Sequence, residues 1–288
     1  MVDLHLHSTC SDGTDPPEAL AALAAGAGLS AAVLTDHDNM DGTERFIAAA
    51  AALGVKSIPG MELSCESPGR TVHMLAYGCD ASDAPLAAAV RRILDGRRER
   101  NVEILARLSK IGKRVSLEEV MREAGEGATT IGRPHIARAL VRKGWARDHA
   151  DAFRRYLGRG APAYVDRYRL DPATAISLVR GAGGVASLAH PHQIGMNKAE
   201  LRRFVGELAE AGLGAIECLY TGYWPQMVEE YLGLARDFGL LVTGGTDYHG
   251  ANRPAVKIGV AYGGLKVSDE TFAALAAKCA ESRAARGA

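Results

Sequence analysis

Two histidines stand two residues apart near the N-terminus, in Asp3-Leu4-His5-Leu6-His7, and a run that alternates in this way reads as a strand. Strand alternation turns both imidazoles and the Asp3 carboxylate to one face. Paired imidazoles are half a metal site, although a bare HxH is also a common half-buried strand pattern. Further along, Leu34-Thr35-Asp36-His37-Asp38, Gly60-Met61-Glu62-Leu63, Leu188-Ala189-His190-Pro191-His192 and Gly245-Thr246-Asp247-Tyr248-His249 each end a β-like run with histidine or a carboxylate. His73 lies inside another such run, and Asp12 follows the first. Singly, each has an ordinary explanation: Asp36 or Asp38 caps a helix, Asp12 makes an Asx turn with Gly13, Glu62 is a surface charge. Together they gather at the C-terminal ends of several strands, where β/α barrels build their active sites.

Imidazoles with carboxylates and no thiolates suit Mn²⁺, Zn²⁺ or Fe²⁺ better than copper(I) or an iron–sulfur cluster. The ligands outnumber what one ion accepts, so two or three ions are expected. Five cysteines (Cys10, Cys65, Cys79, Cys218, Cys279) are odd in number and lack CxxC spacing. That pattern points to buried free thiols in a reducing compartment. Adjacent divalent ions acidify a shared water and neutralise phosphoryl oxygens, so in-line attack by metal hydroxide is the expected reaction. No GxSxG elbow or GxxxxGK[ST] loop offers another route. For the leaving-group acid the sequence names His192, an unassigned acid or a metal-bound water. Asp36 and Asp38 are placed to orient His37, and Glu217 to orient another ligand.

The elements that must position these residues read as βα units. Strand-like runs at Val2–His7, Ala31–Thr35, Lys56–Leu63 and Thr71–Tyr77 are interleaved with helical patterns at Pro16–Ala27 and Asp41–Leu53. The rhythm returns with strands at Val185–His190, Gly214–Leu219 and Leu240–Thr246 around helices Lys198–Ala211 and Gln226–Phe238, giving about seven strands, enough to close a barrel. Between the halves lies a long Arg-rich helical pattern, Ala84–Ile111, then a capping box at Ser116-Leu117-Glu118-Glu119 and a helix opened by proline over Pro134–Lys143. The resulting division is a first barrel part over 1–95, a helical insertion serving as substrate cap over 96–164, and a second barrel part over 165–288. Gly158-Arg159-Gly160-Ala161-Pro162 marks the exit from the insertion. The polar end Cys279–Ala288 is expected to fray.

Within the insertion, Gly132-Arg133-Pro134-His135 opens a helix whose free N–H groups favour a phosphate, with Arg133 and His135 as candidate substrate ligands. Arg97, Arg98 and Arg100, mixed with Asp95, Glu99 and Glu103, read as a solvated helix face. With 34 basic and 34 acidic residues the chain has no net charge to hold a long nucleic-acid duplex or an anionic membrane, and a small anionic substrate fits better. The stretch Ala19–Thr35 is too glycine-rich and too poor in large apolar residues to span a bilayer, and the start lacks a secretory signal, so a cytoplasmic location is expected.

The segments DLHLHSTCSDG, LTDHD, GMELS, VHMLAYG, SLAHP and GGTDYHG resemble, in order and over nearly the whole chain, the motifs of the polymerase-and-histidinol-phosphatase (PHP) superfamily. TTIGRPHIARALV and YLGRGAPAYV resemble the subgroup that acts on nucleoside 3′,5′-bisphosphates and 5′-phosphorylated oligonucleotides. The resemblance implies an α/β fold, a distorted seven-stranded (β/α) barrel with a helical insertion, around a trinuclear centre. One ion would fall to His5, His7, Glu62 and Asp247, a second to Glu62, His73 and His190, a third to Asp12, His37 and His249. It implies a phosphoesterase that releases the 3′-phosphate of bisphosphates or trims short 5′-phosphorylated RNA, with Mn²⁺ foremost and Zn²⁺ or Fe²⁺ as alternatives. Two other readings stand beside it: a histidinol-phosphate phosphatase using the same cage, and a non-catalytic, metal-stabilised binding module.

Overall fold

The structure, a computed structural model, describes residues 1–125, 128–260 and 266–286. Parts of the expected insertion (126–127) and second barrel part (261–265, 287–288) therefore lie outside the described residues.

Seven strands are present among the described residues: β1 (Val2–Leu6), β2 (Ala31–Leu34), β3 (Gly60–Ser67), β4 (Arg70–Tyr77), β5 (Val185–Leu188), β6 (Ala215–Tyr220) and β7 (Leu241–Gly245). The helices are α1 (Pro17–Gly26), α2 (Thr43–Ala52), α3 (Ala84–Lys110), α4 (Leu117–Ala124), α5 (Arg133–Arg142), α6 (His149–Ala152), α7 (Pro172–Gly181), α8 (Lys198–Glu210), α9 (Pro225–Asp237) and α10 (Asp269–Arg286). The fold is mixed α/β. The strands form a two-stranded parallel sheet, β1-β2, and a five-stranded sheet in the order β3-β4-β5-β6-β7. In the larger sheet β4 runs antiparallel to both neighbours, and β5, β6 and β7 run parallel. The βα rhythm breaks at β3-β4, a hairpin, because only Pro68 and Gly69 separate the strands.

Backbone hydrogen bonds link the two sheets at both edges. On one side Asp247 N–H donates to His5 O at 2.9 Å and His7 N–H to Tyr248 O at 3.0 Å. On the other, Asp38 N–H donates to Glu62 O at 2.9 Å and Glu62 N–H to Asp36 O at 3.1 Å. Both approaches need a residue without a side chain: a Cβ on Gly245 would lie 2.5 Å from the His5 backbone nitrogen, and one on Gly60 would lie 2.6 Å from Leu34 O.

Alternation in β1 sends Val2, Leu4 and Leu6 into apolar cores beneath the helices and turns Asp3, His5 and His7 the other way, with every one of these side chains buried. Burying each leucine fully stabilises the fold by on the order of 2 kcal/mol. That surplus lets the opposite face carry polar groups. A separate core, including Ile104, Leu108, Val120, Ile136, Leu140 and Leu157, holds the helical region together. Residue 96, the expected start of the insertion, falls within the unbroken helix α3. The expected fraying end is instead the last part of α10 as far as Arg286, anchored by the fully buried Cys279. Residues 287–288 of that expectation lie outside the described residues.

Candidate metal centre

Strand ends and the loops after them, together with Glu62 near the start of β3 and His73 inside β4, deliver polar side chains to one cage; the strand expected to end at Glu62-Leu63 instead begins at Gly60. Glu62, 1 % exposed, is its hub: Oε1 lies 2.8 Å from His73 Nδ1 and 2.9 Å from His190 Nε2, and Oε2 lies 2.8 Å from His37 Nδ1 and 3.3 Å from His7 Nε2. Asp247 Oδ1 lies 3.2 Å from His7 Nε2 and 3.5 Å from His5 Nε2. Asp12 Oδ1 lies 3.2 Å from His249 Nε2 and 3.7 Å from His37 Nε2. All nine residues expected to hold metal thus meet in one place.

Within the cage, four groups present ligand atoms that lie within 4.8 Å of one another: His7, Asp12, His37, His249; His5, His7, Asp247; His5, Glu62, His190; and His37, Glu62, His73. This grouping differs from the expected partition. His7 joins the Asp12 set, Glu62 is absent from the set of His5, His7 and Asp247, and His73 and His190 fall in different sets, each with Glu62.

The residues fit cations on the structure's own terms. His5 Nε2, both ring nitrogens of His7, Asp12 Oδ1, His37 Nδ1 and Glu62 Oε2 are buried without a hydrogen-bond partner. Orphans at this density are rare in native proteins and mark an ion or a functional site. Electrostatics agree. Burial alone would push Glu62 up, yet His37, His73 and His5 hold its carboxyl well below the ordinary range. Asp247 and Asp12 are depressed in the same way against burial, chiefly by His249 and His5 and by His37 and His249. Burial resists charging His5, but Glu217, Asp247 and Glu62 raise its pKa well above the usual imidazole value. The cavity therefore calls for positive charge, which protons or metal ions can supply.

Surrounding groups fix the ligands. Glu217 Oε1 lies 2.9 Å from His5 Nδ1, and its Oε2 accepts the His190 backbone N–H at 2.7 Å. This matches the orienting role read for Glu217. Asp36 and Asp38 do otherwise than expected. Asp36 accepts hydrogen bonds from Ser8 N–H, Ser8 Oγ and Ser11 Oγ, so it fixes the loop after β1. Asp38 accepts from Ser64 N–H and Oγ and from the Arg97 guanidinium. The non-glycine residues with positive φ among those described are Asp38 (54°), His190 (26°) and Asp247 (54°), all at strand ends of the cage. Strain of this kind persists where surrounding bonds over-determine it.

The remaining expectations part company. Arg133 lines a recess beside the cage, its Nη1 donating to Leu157 O at 3.1 Å. His135 does not reach it: the side chain is fully buried, and Nδ1 accepts the Gly132 N–H at 2.9 Å, locking the start of α5. His192 is exposed and packs on Tyr220 and Tyr223, outside the residues that line the cage cleft. Arg97 and Arg100 are not a solvated face: they are 8 % and 4 % exposed and line the recess with Arg133, Arg167 and Arg169, while Arg98 does face solvent.

Sequence reading missed Tyr220 and Arg253, which both bond Asp247 Oδ2, and His149, which reaches the cage cleft from α6. It also missed Arg167 and Arg169. Their i, i+2 spacing, and the i, i+3 spacing of Arg97 and Arg100, carried a same-face signal, but nothing local told which way the face turned.

A model of the PHP domain matches residues 3–157. The chain belongs to the PHP domain family. It is 33% identical over 248 residues to a 3′,5′-nucleoside bisphosphate phosphatase from Chromobacterium violaceum, covering 86% of this chain and 87% of that one. It is 32% identical over 252 residues to a 5′-3′ exoribonuclease from Haemophilus influenzae, covering 86% and 89%. A solved structure of an amidohydrolase from Chromobacterium violaceum, with sulfate bound and no metal, superposes with a TM-score of 0.86 at 30% identity over 96% of both chains. This PHP protein is thus a metal-dependent phosphoesterase, a hydrolase whose centre takes divalent ions. No helix among the described residues is long and apolar enough to cross a membrane.

Proposed function

We propose that the substrate is a nucleotide with two phosphoryl groups: a 5′-phosphate held in the arginine recess and a 3′-phosphate ester, in a mononucleotide or at the 5′ end of a short RNA, broken at the cage. The observation that carries this reading is the wall the two cavities share. The cleft over the cage, about 400 Å³, and the arginine recess, about 150 Å³, are both lined by Asp12, His37, His73 and Pro134.

Counting charges explains what the recess wants. Five guanidiniums line it, Arg97, Arg100, Arg133, Arg167 and Arg169, and the carboxylates reaching them are three, Asp38, Glu66 and Asp166. With Asp12, which also lines the recess but faces His37 and His249, the guanidiniums still outnumber the carboxylates, five to four. Among the described residues Arg100 donates only to the Asn101 carbonyl oxygen and Arg133 only to Leu157 O, so neither has a carboxylate of its own there. Burial pushes Arg167 down to about 9, and Arg97 beside it adds to the push. A guanidinium keeps its proton in practice, so this crowding acts as an attraction for a dianion. Arg also grips phosphate bidentately.

At the cage we assign His5, His7, Asp12, His37, Glu62, His73, His190, Asp247 and His249 as ligands for two or three divalent ions, Mn²⁺ foremost and Zn²⁺ or Fe²⁺ as alternatives. Such ions supply Lewis acidity that activates water and neutralises phosphoryl charge. The chain's own groups do the positioning. Glu217 sets the rotation of His5 and the backbone at His190, and Tyr220 with Arg253 pins the Asp247 oxygen turned away from the imidazoles. Arg253 also lines the cleft, where its charge faces an incoming phosphoryl group. We read the two linked sheets as a distorted seven-stranded barrel and residues 96–164 as its cap, which supplies Arg97, Arg100 and Arg133 to the recess. A cytoplasmic site of action suits such a substrate.

A histidinol-phosphate phosphatase would use the cage but leave the recess without a partner, and a non-catalytic module would use neither cleft. Initial rates on adenosine 3′,5′-bisphosphate, adenosine 3′-monophosphate and histidinol phosphate test the reading. The bisphosphate is expected to lead by at least about 30-fold in kcat/KM, the worth of one good charge-assisted contact. Preference for histidinol phosphate overturns it.

A further inference from the structure

Among the nine histidines, His149 alone has no part in the cage, in capping or in an aromatic shelf outside the cleft. It comes from the helical region and still lines the cage cleft, together with His190, His249, Pro134 and Arg253. Its Nε2 is buried and has no hydrogen-bond partner among the described residues. Two contacts hold the ring in place. The Asp148 side chain caps α6 by accepting the Asp151 N–H at 2.7 Å, and the imidazole packs on Phe153 with ring centres 5.0 Å apart. Phe153 in turn lines the arginine recess, so the pair spans from one cavity to the other.

We infer that His149 is the cap's substrate contact: as the bond from phosphorus to the ester oxygen breaks and the bond to the attacking water's oxygen forms, its Nε2–H donates a hydrogen bond to the leaving ester oxygen, which takes up the proton that the water gives up. The physical reason is complementarity of supply. The cage ligands offer oxygens and imidazole nitrogens committed to one another or to cations, Gln193, Asn252 and Arg253 on the same walls already donate to Tyr220, to the Asp12 carbonyl oxygen and to Asp247, and the recess offers guanidiniums suited to a terminal phosphate. The ester oxygen joins these two ends of the substrate, and it needs a donor from a third direction. His149 lines that cleft, has a ring nitrogen left unpartnered among the described residues, and comes from the helical region rather than from a strand of the cage. Negative charge builds on the leaving oxygen in the transition state, so a donor there accelerates bond breaking more than it strengthens ground-state binding.

This inference rests on the phosphoesterase reading, and on the bisphosphate reading only for the choice of natural-type ester. The test compares the wild type with His149→Ala, His149→Gln and His149→Phe on adenosine 3′,5′-bisphosphate, whose leaving group is a poor alkoxide, and on p-nitrophenyl phosphate, whose leaving group needs no help. Alanine and phenylalanine are expected to lower kcat on the bisphosphate by about 100-fold and on the aryl ester by less than about 3-fold. Glutamine, which places an N–H at similar reach, should recover part of the loss on the bisphosphate alone. Calorimetric affinity for adenosine 3′,5′-bisphosphate in the presence of EDTA should change by less than about 3-fold, because the contact acts in the transition state. Equal losses on the two esters, or no loss on either, overturn the assignment. A wild type that turns over the aryl ester but prefers a monophosphate sinks the bisphosphate reading instead, and the variants' ratio between adenosine 3′-monophosphate and the aryl ester then decides His149.

Discussion

The cage and the arginine recess share a wall yet are opposite in kind. In the cage, carboxylates and imidazole lone pairs converge with six orphaned atoms and hold a deficit of positive charge. In the recess, burial depresses Arg100, and the neighbouring guanidiniums of Arg97, Arg167 and Arg133 add to the push. Each half is unfavourable alone, since unpaired buried charge costs several kcal/mol. Side by side they match a ligand set that is cationic at one end and anionic at the other: metal ions and a second phosphate. The lesson is that the proposed preference for two phosphates rests on the junction, because the cage by itself would serve any phosphomonoester.

The largest effect that would test this comparison is at the hub. Glu62→Gln keeps the shape but removes the charge that four imidazoles face, and activity on every phosphate ester should fall more than about 100-fold, with metal content reduced in elemental analysis. Full activity with a normal metal complement would break the account of the cage.

Next in size is a change confined to the recess. Arg133→Met should lower kcat/KM for adenosine 3′,5′-bisphosphate by about 30-fold and leave p-nitrophenyl phosphate within about 3-fold. Equal losses on both would mean that the two regions are not separable in the way described.

Smaller again is Glu217→Gln, which weakens the grip on His5 and on the His190 backbone without touching a ligand atom. A fall of about 10-fold in metal affinity is expected, read by competition with a chelating dye, and excess metal should restore turnover. The smallest effect belongs to His192. It rests on Tyr220 and Tyr223 away from the cleft walls, so His192→Ala should change kcat by less than about 3-fold.

The same two regions show what a sequence can and cannot disclose. The cage is legible because strand alternation is local: His5 and His7 face together whatever else the chain does, and His190 and Asp247 sit just past strand ends, while Glu62 sits near the start of β3 rather than at the expected end of a strand. The seven strands follow from the same patterning, apart from the β3-β4 hairpin that breaks the βα rhythm. The recess is not legible. Arg97 and Arg100 look like the charged face of an exposed helix until the 167–169 segment packs over them and Asp38 turns toward them, and both events depend on contacts between residues far apart in the chain. His135 misleads for a related reason. It stands at a helix start suited to phosphate, but its ring is spent on capping that start.

The most direct measurement is a crystal structure of the Mn²⁺-loaded protein with a non-hydrolysable analogue of adenosine 3′,5′-bisphosphate, using manganese anomalous scattering. The account predicts at least two anomalous peaks within ligand distance of Glu62, Asp247 and Asp12, one phosphoryl group against them and the other between Arg100 and Arg133. A cage without anomalous peaks, or an analogue whose second phosphate points to solvent away from the arginines, would contradict it.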